Sequence, residues 1–151
     1  MKTLSRLIMV VGVLLVVPQF VGCDRSHAES HVEHEHPSQV EEIAGTDLHK
    51  VTWTKQAAER TGLETGEVTE MKGPRDEEQK LTVPYASILY TADGKAWVYK
   101  MPEDRVFIRH EIDVDYIDGQ LAYLDAGPPA GAKVATVGVA EIYGSEFEVG
   151  H

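Results

Sequence analysis

The stretch LTVPYASILYTADGKAWVYKMPEDRVFIRHEIDVDYIDGQLAYL, residues 81–124, decides the fold. Short segments rich in β-branched and aromatic residues alternate with turn signals, of which ADG (92–94) and DG (118–119) are the clearest. This pattern is typical of antiparallel strands joined by tight turns, and Pro84 indicates that the first strand is an edge strand or carries a bulge. It predicts strands over 81–90, 96–101, 105–116 and 120–124.

The strand predicted over 105–116 shows strict alternation, which is typical of a strand with one buried face. The predicted buried face comprises Val106, Ile108, His110, Ile112 and Val114. The predicted solvent face comprises Phe107, Arg109, Glu111, Asp113 and Asp115.

The flanking segments complete a small domain. Thr54 is a good N-cap and Gly62 a good C′ residue for one short helix, and 71–80 reads as a polar loop. The stiff turn GPPAG (127–131) leads to a last strand over 132–140. We therefore predict a mainly β protein over 47–151, a single small barrel-like or sandwich domain with one short helix and one modest core.

The N-terminus has the pattern of a targeting segment. Lys2 and Arg6 precede an apolar run of eleven residues, 7–17, which fits a signal peptide but is too short to span a bilayer. FVGC (20–23) resembles the lipobox of bacterial lipoproteins, which implies a signal peptide over 1–22 and acylation of Cys23, the only cysteine. The alternative is an uncleaved anchor with a chance cysteine.

Residues 23–46 are dominated by Glu, His and Ser, with few apolar side chains. Such a segment cannot bury enough apolar surface to offset the entropy lost on ordering, so we predict a flexible, acidic, histidine-rich tether. Removal of the signal would leave 12 basic and 25 acidic residues, a net charge of −13 with neutral histidines. This charge argues against nucleic acid as a partner and favours cations or a basic protein surface.

Three segments resemble the membrane-proximal domain of periplasmic adaptor subunits, the membrane fusion proteins of resistance–nodulation–division efflux pumps. They are VTWTKQAAERTGLETGEV (51–68), TVPYASILYTADGKAWVYKM (82–101) and GPPAGAKVATVG (127–138). The resemblance is closest to adaptors of heavy-metal pumps, and it implies an inner-membrane pump or a full-length adaptor as partner. Asp24, directly after the cysteine, resembles an inner-membrane retention signal, which implies a lipid anchor on the periplasmic side of the bacterial cell envelope.

The departures from that family are large. A complete adaptor carries a lipoyl-like domain, a long helical hairpin and a further barrel between the first two segments. This chain has the twelve residues TEMKGPRDEEQK (69–80) there, and no heptad pattern anywhere. Pro128 also stands where the family often has leucine. The chain therefore resembles the membrane-proximal domain alone.

Four histidines, His27, His31, His34 and His36, lie within ten residues of the tether. Imidazole suits Cu or Zn, and three of the four would share a face if the segment became helical on binding. The resemblance strengthens this reading, because heavy-metal adaptors often carry metal ligands in a flexible N-terminal segment. The alternative is a solvated spacer, because histidine-rich composition alone is not a metal motif.

No catalytic motif accompanies these features. The sequence has no nucleophile elbow and no phosphate-binding glycine loop, so we predict that the protein is not an enzyme. Trp53 and Trp97 are interpreted as core anchors, His110 as a packed rather than ligating residue, and His49 as a residue at the edge of the fold.

Three functions follow as hypotheses. The first is an accessory lipoprotein of a heavy-metal efflux system, which docks through its β domain and gathers ions with its tether. The second is a free-standing Cu- or Zn-binding lipoprotein of the periplasm. The third is a structural interaction module.

Overall fold

The computed structural model describes residues 36–75 and 77–148. This part of the chain is mainly β, as predicted, and contains a short 3₁₀ turn, Tyr85–Ser87. Two helices accompany the sheet, α1 (Lys55–Thr61) and α2 (Val139–Glu146). The ten strands are β1 (Ser38–Glu42), β2 (His49–Trp53), β3 (Glu64–Glu67), β4 (Thr69–Lys72), β5 (Gln79–Pro84), β6 (Leu89–Tyr90), β7 (Ala96–Glu103), β8 (Val106–Asp118), β9 (Leu121–Ala126) and β10 (Lys133–Val137).

Seven strands form a curled sheet, a half-barrel, in the order β3-β10-β7-β8-β9-β5-β4. The two ends of this path are consecutive in the chain, because only Val68 separates β3 from β4. A Cβ placed on Gly66 in β3 would lie 2.7 Å from Pro84 Cγ at the end of β5, so only glycine allows this close approach. The chain therefore passes through Val68 from one end of the strand path directly to the other.

The barrel interior is filled by small and medium-sized apolar side chains. Every strand of the barrel except β3 and β4 contributes to it, and Val68 between those two completes it. Such a layer excludes water without needing polar partners, which suits a narrow barrel. The buried members are Val68, Val83, Ala96, Val98, Ile112, Ala122, Leu124 and Val134.

A second cluster lies on the other face of β7. Val98 packs in the barrel interior, whereas its neighbour Tyr99 packs outside, so β7 is buried on both faces. β2 pairs with the first part of β8, over Val106–Ile108, and β1 pairs with β2. We call β1, β2, α1 and α2 the outer layer; its buried core comprises Val51, Trp53, Tyr99, Phe107, Ala135 and Ile142.

Several sequence expectations need correction. Ser38–Glu42 were expected to belong to the tether, but they form β1 and pair with all of β2. One short helix was predicted, and α2 is a second. One core was predicted, whereas the domain has two clusters on opposite faces of one strand.

The predicted faces of the long strand are also wrong in its first part. Phe107 and Arg109 are buried and Val106 and Ile108 only half-buried, while Ile112 lies inside the barrel as expected. The reason is that β8 serves both clusters, so that its buried face changes along its length. Alternation in sequence cannot show that change, because both faces of the first part carry apolar residues.

The predicted helix ends are confirmed at α1. Thr54 Oγ1 accepts a hydrogen bond from the Ala57 amide at 3.1 Å, and Gly62 adopts the left-handed conformation with φ 70°. These caps satisfy the first amides and last carbonyls of a helix too short to be stable alone.

Candidate functional site

Most of the predicted site residues lie outside the described part of the chain: Cys23, His27, His31 and His34. His36 is the first described residue, and it is exposed. It lines a cavity of about 260 Å³ together with Pro37, Ser145 and Glu148. The histidine-rich segment therefore joins the domain beside the end of α2.

Within residues 36–75 and 77–148, no three His, Cys, Asp or Glu side chains are grouped so that they could hold a metal ion. The domain thus offers no preformed metal centre in these residues. Metal binding by the four tether histidines stays a prediction.

Glu146, at the end of α2, has polar contacts with three other side chains. Its side chain is 0% exposed. Oε2 accepts a hydrogen bond of 2.5 Å from the Tyr99 hydroxyl, while Oε1 lies 3.3 Å from Arg109 Nη2 and 3.4 Å from His49 Nδ1. We call these four residues the α2 anchor.

Aromatic rings enclose the α2 anchor. The Arg109 guanidinium carbon lies 4.3 Å from the centre of the Trp97 ring and 5.1 Å from that of Phe147. Phe147 also meets the His49 ring edge-on at 6.1 Å. Burial, and then the hydrogen bond to Glu146, raise the pKa of the Tyr99 hydroxyl, so the phenol stays protonated and donates.

These contacts attach α2 to the sheet. The carboxylate contacts the Tyr99 hydroxyl, the Arg109 guanidinium and the His49 ring, and a buried carboxylate needs polar partners to offset its desolvation. The α2 anchor contains no serine or cysteine nucleophile. It joins α2 to β2, β7 and β8, elements that are far apart in the sequence.

The sequence reading missed the α2 anchor because it placed Arg109 on a solvent face. One clue was present, since Arg109 shares its face with Phe107 and not with the acidic residues alone. His49 does lie at the edge of the fold, partly exposed, as predicted. α2 has no strong N-cap residue in the sequence, because its N-cap is Gly138, which has no side chain to accept a hydrogen bond.

The other aromatic and histidine predictions are mostly confirmed. Trp53 is buried and meets Phe107 edge-on at 5.5 Å, as expected of a core anchor. Trp97 lies on the outer side of the sheet, where it packs under Arg109 and is only half-buried. His110 is half-buried beside the barrel interior; burial first, and then the charge of Lys100, lower its pKa.

One end of the barrel carries exposed apolar side chains. Tyr85 is 46% exposed and Ile117 39%. The Tyr85 amide donates to the carbonyl of Gln120, and Ile117 pairs with Ala122, so both flank the turn between β8 and β9. We call this pair the hairpin end.

Comparisons with protein-family models, with curated proteins and with solved structures found no match. No helix among the described residues is both long enough and apolar enough to cross a membrane.

Proposed function

We propose that the chain is a lipid-anchored accessory component of a resistance–nodulation–division efflux system, in which the barrel domain docks on the inner-membrane pump or on a complete adaptor. The observation that carries this proposal is the β4–β5 hairpin. In the resembling adaptors, the chain leaves the membrane-proximal domain at this point to build the other domains.

Here the chain continues from β3 through Val68 into β4, which pairs with β5 within the domain. Four residues of β4 pair with β5, from Thr69 with Thr82 to Lys72 with Gln79. The Gly73 amide donates to the Glu78 carbonyl at 2.8 Å across the connection. Among the described residues the two helices are short and no long helical hairpin occurs between β4 and β5, which supports an accessory role over that of a full adaptor.

The anchor and the tether fit the same role. Acylation of Cys23 would hold the domain at a membrane on the periplasmic side, and two or three acyl chains bind far more firmly than one. The acidic tether would concentrate cations, and His27, His31, His34 and His36 would take Cu or Zn.

The hairpin end is the part of the barrel best suited to docking. Large apolar side chains that remain exposed in a small domain favour a protein partner over water. The tagged protein should therefore be purified from membranes of metal-stressed cells after cross-linking, alongside the double variant Tyr85→Glu, Ile117→Glu. A matched control is Tyr90→Glu, since Tyr90 on β6 is 53% exposed, slightly more than Tyr85.

We expect the pump or the adaptor among the cross-linked proteins, with at least about fivefold less from the double variant and an unchanged yield from the control. Absence of any transport protein from the wild-type sample would reject the efflux role. If the protein alone then bound Cu or Zn, and lost it when the four histidines were replaced by serine, the free-standing metal-binding lipoprotein would take its place.

A further inference from the structure

A groove lies between β1 and the end of α2, where the tether joins the domain. It is a cavity of about 350 Å³, next to the one of about 260 Å³ that contains His36. The two cavities are adjacent, since Val40 and Glu148 line both. We call the larger one the β1–α2 groove; it is lined by Val40, Glu42, His49, Glu146, Phe147 and Glu148.

The strand residues that line the groove share one face of the sheet. Val40 and Glu42 are two residues apart in β1, so their side chains point to the same side. His49 pairs directly with Glu42, which places its side chain on that side as well. Val40 packs against the outer-layer core, which includes Ile142 of α2. This face of β1 and β2 is therefore the one that meets α2.

His49 is held in the groove by one of its ring nitrogens. Its Nδ1 lies 3.4 Å from Glu146 Oε1, and because an ionised carboxylate only accepts, Nδ1 carries the proton and Nε2 the lone pair. Glu146 is fixed in turn by Tyr99 and Arg109. The His49 side chain is 26% exposed, so a cation can reach its ring. A histidine that donates one ring N–H to a fixed carboxylate is the usual arrangement of a metal ligand.

The groove and the tether both carry negative charge. Glu42 and Glu148 are exposed, and within residues 36–75 and 77–148 neither forms an ion pair. The tether adds Glu29, Glu33 and Glu35 between its histidines. Since like charges repel, the tether and the groove attract each other only through a shared cation.

The histidines nearest to the groove in sequence are close enough to supply ligands. His36 lies in the adjacent cavity, beside Glu148. A chain extends by at most about 3.6 Å per residue, so His34 lies within about 7 Å of His36 along the backbone and His31 within about 18 Å.

We propose that the β1–α2 groove completes a Cu or Zn site, in which His49 Nε2 and the Glu148 carboxylate are the ligands from the domain and His31 and His34 are those from the tether. Imidazole nitrogens with one carboxylate are a ligand set that both ions accept. This inference rests on the metal capture by the tether that we propose above. It adds that the bound ion holds the tether against the domain beside the α2 anchor.

The test uses the chain from Asp24, which carries no lipid, with Zn(II) as the probe. Calorimetric titration gives the affinity, and backbone amide shifts in NMR spectra show which residues the ion affects. The wild type is compared with His49→Asn, with Glu148→Gln and with the control His110→Asn, which changes a histidine beside the barrel interior. Glu148 is exposed, so its variant should fold even if His49→Asn does not.

We expect Zn(II) to shift the amides of His49, Phe147 and Glu148 together with those of the tether. Affinity should fall at least about tenfold in His49→Asn and about threefold in Glu148→Gln, and stay unchanged in His110→Asn. Replacement of the four tether histidines by serine should abolish the shifts in the groove.

The inference is overturned if Zn(II) shifts only tether amides and His49→Asn binds as the wild type does; metal capture by the tether would then stand without the domain. Groove shifts that persist in the four-serine variant would also overturn it, because the domain alone would then hold the ion. Absence of any Zn(II) or Cu(II) binding would remove both the inference and the metal role, while docking on a pump is decided separately by the cross-linking experiment.

Discussion

The barrel interior and the outer layer solve the same problem, the burial of β7, in different ways. The barrel interior uses small aliphatic side chains supplied largely by strands that follow one another in the chain. The outer layer uses large aromatic side chains and one buried carboxylate. Its contacts join distant parts of the chain: Trp53 Nε1 donates to Ser145 Oγ, and His49 meets Glu146.

This difference predicts which part of the domain unfolds more readily. Contacts between sequential hairpins form and re-form locally, whereas contacts across the length of the chain hold only while both ends are in place. The outer layer should therefore open more readily than the barrel interior, by a sub-global unfolding of β1 and α2. It is also the region that receives the segment leading to Cys23.

The largest expected effect comes from Phe107→Ala, in the core beneath the outer layer. Phe107 is fully buried against Trp53, and loss of its ring leaves a large cavity, so unfolding free energy should fall by about 3–5 kcal/mol. Val98→Ala in the barrel interior removes two methyl groups and should cost about 2 kcal/mol. Urea unfolding of both variants measures the two values, and a larger cost for Val98→Ala would contradict the comparison.

A smaller effect is expected from removal of β1. A fragment that begins at Asp47 lacks the five residue pairs between β1 and β2 and the contact of Val40 with the outer-layer core. It should still fold but be less stable than one that begins at His36 by about 2 kcal/mol. Thermal melts of the two fragments test this, and equal melting temperatures would return Ser38–Glu42 to the tether.

Features that depend on local sequence could be predicted, whereas features that depend on contacts between distant residues could not. The hairpins β6–β7, β7–β8 and β8–β9 were predictable because each turn signal lies next to the strands that it joins. The single strand predicted over 81–90 is wrong, because the 3₁₀ turn Tyr85–Ser87 divides it into β5 and β6. The caps of α1 were predictable for the same local reason. β1 was not predictable because its sequence, SQVEE, is largely polar. The α2 anchor was not, because Glu146 acquires its role only from Tyr99, Arg109 and His49, which lie far from it in the sequence. Of the predicted metal residues, only His36 lies in the described part.

The smallest expected effect is on the pH dependence of stability, and it arises from His110 in β8. Because the folded state lowers the pKa of His110, the unfolded chain binds more protons as pH falls below about 6.5. Above that pH, His110 is neutral in both the folded and the unfolded chain and costs no stability. Stability is lost as the pH drops from about 6.5 through the lowered folded pKa. Urea midpoints at pH 7.5 and 5.0 should differ less in His110→Asn than in the wild type. An equal or larger difference in the variant would show that His110 is not penalised by its environment.

The central claim, that the α2 anchor holds a separately opening outer layer on a stable barrel, is tested most directly by native-state hydrogen exchange of the wild type and Glu146→Gln. This variant keeps an acceptor for Tyr99 but removes the negative charge beside Arg109, a change expected to cost about 3 kcal/mol locally. The account predicts that amides of α2 and β1 exchange faster in the variant, while those of Val98, Ile112 and Leu124 in the barrel keep their protection. Equal loss of protection in both regions would contradict it, because the two would then unfold as one unit.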